Sequence, residues 1–157
     1  MENTEEKILY VSNNMRCWNS PSPGFWKWGT FLGKVIVTDK RFLFLSSGGS
    51  KMGSIATASL LAGPLLGQLI LGKSMTKELA LEALQNEGSF EAEHQNITEI
   101  IAKRRWDFTA CLSISFGDSS YSFIQDPFGM NLSVMRDIEE EVEMCQMRLK
   151  KAGESNN

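Results

Sequence analysis

Two β-favouring runs, residues 31–37 and 41–45, are separated by only three polar residues, Thr38, Asp39 and Lys40. Between them they hold Val35, Ile36, Val37, Phe42, Leu43, Phe44 and Leu45, a density of β-branched and aromatic side chains that favours strands. So short a polar connection pairs strands antiparallel, and a hairpin is expected here. Similar runs recur at residues 7–12, 89–93, 99–105, 110–116 and 119–125. In the last two, Leu112, Ile114 and Phe116 alternate on one face, and Tyr121 and Phe123 keep the same period beyond the turn Gly117-Asp118. The chain is therefore expected to be mainly β.

Near the end the period changes to that of a helix. Leu132, Met135, Ile138, Val142, Cys145 and Leu149 recur at spacings of three and four, the stripe of an amphipathic helix over residues 129–152. Arg148, Lys150 and Lys151 fall at its C-terminal end, where cations complement the helix dipole. Gly153 ends it, and residues 153–157 form a polar tail. Residues 13–30, with Pro21, Pro23 and Gly24, read as a loop carrying the aromatic group Phe25, Trp26 and Trp28.

Residues 51–87 interrupt the β pattern after the third strand and are expected to be a helical, apolar insertion. Residues 52–72 hold no charge and are bracketed by Lys51 and Lys73; 21 residues match the length of a membrane-spanning helix. Pro64, four glycines and Gln68 weigh against spanning, and a span at this point would split one β-domain across a bilayer. Ser59, Gly63 and Gly67 recur every four residues, a face that lets helix backbones approach closely. A packing seam within the chain or between copies is the better reading. Residues 76–86 carry a second stripe, Leu79, Ala80, Ala83 and Leu84, with Gly88 as its stop.

Length suits one domain, residues 1–157. A net charge of −3 argues against nucleic acid, whose binders are usually basic. Cys17, Cys111 and Cys145 show no C-x-x-C pair and read as buried or half-buried thiols of a reducing compartment. The acidic N-terminus does not resemble a secretory signal, so a cytoplasmic protein is expected. His94 stands beside Glu91 and Glu93, but a metal site needs three or four converging ligands and no second histidine or nearby cysteine is present. Gly72, Lys73 and Ser74 resemble the end of a phosphate loop without a strand ahead of it. No catalytic residue, metal or cofactor is expected.

Residues 33–45, Gly-Lys-Val-Ile-Val-Thr-Asp-Lys-Arg-Phe-Leu-Phe-Leu, resemble the hairpin of the GRAM and bacterial pleckstrin-homology families. Ile97-Thr98-Glu99-Ile100 resembles the lead-in to a later strand of those families. Residues 111–116 and 121–123 resemble their last two strands before the closing helix. The resemblance implies a pleckstrin-homology-like β-barrel or sandwich of about seven antiparallel strands, closed by a C-terminal α-helix. It also implies a non-enzymatic module that docks on a membrane surface or a protein partner, and the resemblance to the bacterial members implies a homo-oligomer. The basic residues that mark phosphoinositide binders around the first hairpin are sparse here, with Lys34 followed by Val35 and Ile36.

Trp26, Trp28 and residues 52–72 are the candidate apolar contacts of a peripheral membrane protein, with Lys51, Lys73 and Arg104 as the electrostatic ones. Lys103, Arg104, Arg105 and Trp106 form a basic–aromatic patch, with Lys40 and Arg41 expected nearby in the fold. Ser59, Gly63 and Gly67 are the candidate oligomer seam. The alternative function is a self-assembly domain whose insertion is buried between subunits without lipid binding. A small-ligand carrier or enzyme using the barrel interior is a weaker third class, because Leu112, Ile114 and Phe116 point to an apolar interior.

Overall fold

A computed structural model of the chain describes residues 6–19, 30–49, 74–75, 84–85, 87–125 and 129–155. Seven strands form one antiparallel path: β1 (Glu6–Asn19), β2 (Phe31–Thr38), β3 (Arg41–Gly49), β5 (Phe90–Glu93), β6 (Ile97–Arg104), β7 (Ala110–Phe116) and β8 (Ser119–Gln125). Their spatial order is β5-β3-β2-β1-β8-β7-β6, and a two-residue β4 (Ser74–Met75) pairs with the start of β1. The helix α1 (Leu132–Glu154) packs chiefly on β6 and β7. A seven-strand antiparallel sheet with one C-terminal helix is what the family resemblance implies.

The expected hairpin is present in register, with Val35 opposite Phe44 and Val37 opposite Phe42. Its apolar runs are continuous because both faces are covered. Val35, Val37, Phe42 and Phe44 enter the main core, while Ile36, Leu43 and Leu45 form a second cluster with Ile8, Val11 and Leu84. In the main core the Phe123 ring meets Phe42 and Phe44 edge-on, at centroid distances of 5.7 and 5.4 Å. Such pairs add roughly 0.5–1.5 kcal/mol beyond their burial. Met135, Ile138, Val142 and Cys145 of α1 close the core from below, as the three-and-four spacing requires. The stripe ends there: Leu149 is exposed, because α1 has by then passed the edge of the sheet.

Three expectations need correction. The sheet does not close into a barrel. Its end strands β5 and β6 are joined by a single 3-10 turn, His94–Asn96, instead of a ladder, and α1 covers the opening. The first strand is far longer than residues 7–12, and part of the expected 13–30 loop belongs to it. An irregularity between Ser12 and Met15, with Asn14 in the left-handed region at φ 56°, re-aims the chain. Met15 and Cys17 then face the core as β1 changes partner from β4 to β8.

Arg41 is the third. It does not lie beside the 103–105 patch. It is buried at the Ile97 end of β6, ion-paired with Glu6 and Glu91. The basic residues stand at the other end of that strand, roughly 20 Å away at 3.3 Å per residue. The helical reading of 51–87 falls mostly outside the described residues. Within it, Ser74–Met75 is strand and Leu84 and Gln85 lie in a turn.

Candidate surface-docking turn

Lys103, Arg104 and Arg105 lead out of β6, and three residues, Trp106, Asp107 and Phe108, return the chain to β7. Arg104 pairs with Ala110 across the ladder. Beyond them the Arg105 N–H donates to the Thr109 carbonyl at 2.8 Å, and the Phe108 N–H donates to the Arg105 carbonyl at 3.0 Å. This is a reverse turn followed by one left-handed residue, the usual form of a three-residue hairpin loop. That residue is Phe108, at φ 67°. Glycine or asparagine normally occupies such a place, because a Cβ there crowds the backbone.

Side chains lock the turn from both sides. Asp107 Oδ1 accepts hydrogen bonds from the Thr109 hydroxyl at 2.6 Å and the Thr109 N–H at 3.1 Å. Those two bonds, the hydroxyl foremost, and the nearby Arg105 charge hold the Asp107 carboxyl below its ordinary range. On the other side the Arg104 guanidinium donates to the Phe108 carbonyl at 3.0 Å. With the backbone fixed, both aromatic side chains stand in solvent, Trp106 at 87% and Phe108 at 71% exposure. Met130, also exposed, follows Gly129, whose carbonyl accepts from the Ala110 N–H at the base of the turn. Three cations against Asp107 leave residues 103–108 at +2 in a chain of net −3.

Of the residues singled out in the sequence, Arg104 and Trp106 meet in this turn. Trp26, Trp28, Lys51, Lys73, Ser59, Gly63 and Gly67 lie outside the described residues. Phe108 escaped sequence reasoning. Its signal was an aromatic residue two places after Trp106 in an otherwise polar connection, a place where a buried role is hard to assign. Lys103 and Arg105 flank the site, and Arg104 doubles as its brace.

Other candidate chemistry is less well provided for. Residues 67–74 match the G-x-x-x-x-G-K-S spacing in full, but a phosphate cradle needs a helix to begin at its serine. Here Ser74 and Met75 extend as strand β4 opposite Lys7 and Glu6. The sheet interior is filled by aromatic rings. A recess of about 210 Å³ beside Cys17, Phe31, Phe90 and Tyr121 falls short of the 300–1,000 Å³ of ordinary ligand pockets. Among the described residues, no three His, Cys, Asp or Glu side chains converge as metal ligands, and no helix is long and apolar enough to cross a membrane.

No protein-family profile matches the chain, and no curated protein does. Among solved structures it is similar to the Vps36 N-terminal PH domain. The two share 9% sequence identity over 90% of this chain and 83% of that one, with a TM-score of 0.49.

Proposed function

We propose that this chain is a non-enzymatic, pleckstrin-homology-like binding module that docks on a membrane surface through the β6–β7 turn. The observation that carries this reading is the pair Trp106 and Phe108, both large, both exposed, at one rigid turn of net positive charge. Aromatic side chains in that position cost solubility unless a partner covers them, and an apolar tip ringed by cations suits an anionic interface. In this reading Trp26, Trp28, Lys51 and Lys73 extend the contact. The module works as a cytoplasmic, peripheral homo-oligomer joined along Ser59, Gly63 and Gly67, and nucleic acid is not its partner.

Flotation with liposomes tests it. Phosphatidylcholine vesicles carrying phosphatidylserine should carry the protein upward at low salt and release much of it at high salt. Failure to float under any condition sinks the membrane reading and leaves a protein partner or self-assembly in its place. Light scattering on Gly63→Leu and Gly67→Leu checks the oligomer. An oligomer unchanged by both substitutions removes that seam.

A further inference from the structure

We infer that Phe108 is held in its left-handed conformation to make, with Trp106, a preformed aromatic wedge that enters an anionic bilayer. The inference rests on the docking reading above and names the part that penetrates. Its starting point is the conflict at Phe108 itself. A bulky residue with φ 67° is strained, and a glycine in its place would relieve that strain. Nothing in the core compensates, since most of the Phe108 ring lies in solvent. Yet the surroundings enforce the conformation through the Arg104 bond to its carbonyl and its own N–H bond to Arg105. A strained backbone that is braced on both sides and presents an unburied ring is organised around that ring.

The shape of the tip selects its partner. A stable protein interface covers about 800 Å² on each side. Two aromatic side chains expose at most about 500 Å² between them, and they project from a narrow hairpin. That is too little for a flat protein surface, but an acyl–headgroup boundary deforms around a small wedge. The indole of Trp106, apolar with one N–H donor, is suited to that boundary. Lys103 and Arg105 precede the aromatics at the end of β6, and their charges would meet lipid phosphates once the rings enter. Because the turn is already locked, little conformational freedom remains to be lost on insertion.

The test pairs two readouts on Phe108→Gly, with Trp106→Ala as a second variant. The first is cosedimentation with phosphatidylcholine vesicles with and without phosphatidylserine; the second is thermal unfolding. Phe108→Gly should lower partition onto anionic vesicles about tenfold or more. Its Tm should be equal to the parent's or higher by about 2–4 °C. Trp106→Ala should lose binding similarly at the parent's Tm. Parent protein that ignores vesicles overturns the docking reading itself. Parent protein that binds while Phe108→Gly binds equally well leaves docking intact and overturns the wedge. A fall in Tm for Phe108→Gly shows that the ring serves folding, and overturns it too.

Discussion

His94 Nε2 lies 2.8 Å from the carbonyl oxygen of Thr38, fifty-six positions earlier in the chain, and the ring is wholly buried. A carbonyl only accepts, so Nε2 carries the proton and donates. Cys145 of α1 donates weakly to the same oxygen at 3.8 Å, and Gln146 donates to the carbonyls of His94 and Ile97 at 2.9 Å each. The hairpin turn, the 3-10 link between the sheet's two ends and the closing helix are thereby tied at one point. That knot joins the two ends of the open sheet through the helix.

The knot makes stability depend on acid. Burial lowers the His94 pKa below its ordinary 6.5, against the opposing pull of the Thr38 bond, Asp39 and Glu6. In the unfolded chain the imidazole takes up its proton first as pH falls, so the unfolded state gains protons relative to the folded one. The stability from neutral His94 is therefore full above about pH 6.5 and declines below it. Urea unfolding midpoints between pH 8 and 5 should show the decline, and His94→Gln should flatten it. A slope unchanged in His94→Gln assigns the acid sensitivity elsewhere.

Arg41 bridges Glu6 and Glu91 from the edge of the hairpin, with 2.9 and 3.1 Å contacts to the two Glu6 oxygens. Burial disfavours its charge, but the two carboxylates outweigh that and raise its pKa. Arg41→Met leaves Glu6 charged and nearly buried, at a cost of about 3–5 kcal/mol in chemical denaturation. Adding Glu6→Gln should recover much of the loss. A double variant no better than Arg41→Met alone argues that the guanidinium stem, and not the charge pair, supplies the stability.

Gly33 stands where β2 and β3 press together. A Cβ there would meet the Leu45 carbonyl group and approach the Phe44 ring to 2.9 Å. Backbone cannot swing aside, so Gly33→Ala should cost roughly 1–3 kcal/mol. Thermal unfolding measures it, with exposed Gly153, whose Cβ would meet nothing, as the control for glycine entropy.

Cys17, Cys111 and Cys145 are all buried free thiols. Burial pushes the Cys17 thiol far up, so little thiolate forms at neutral pH. Alkylation by iodoacetamide should be slow in the native protein and become rapid in denaturant. Fast native labelling of Cys17 would mean that the β1–β8 pairing opens readily.

Replacing Lys103 and Arg105 together by Gln should weaken partition onto anionic vesicles about thirtyfold, at about 1 kcal/mol per cation. The salt dependence should fall with it. Arg104 is unsuited to this test because it braces Phe108, so its removal changes charge and shape together.

Much of the fold was legible from residues alone. The hairpin at 31–45, the alternation of Leu112 and Ile114 against Tyr121 and Phe123, and the stripe from Met135 to Cys145 each follow from a local period. The extent of β1 was not legible, because Asn13 and Asn14 look like a turn and only pairing with β2 and β8 beyond them shows that the strand continues. The docking turn was half legible. The basic run and Trp106 can be read in order, whereas the exposure of Phe108 depends on where β6 and β7 end.

The sequence by itself determined most of the strand segments, where the closing helix lies and which side chains along its middle face inward, since those depend on neighbours two to four residues away. Only the tertiary structure decided that Arg41 is a buried bridge instead of a surface cation, that His94 fastens the hairpin to the helix, and that Phe108 sits strained in solvent. Each of these depends on what a distant strand places opposite the residue. Burial, charge pairing and strain belong to that juxtaposition, and no local pattern encodes it.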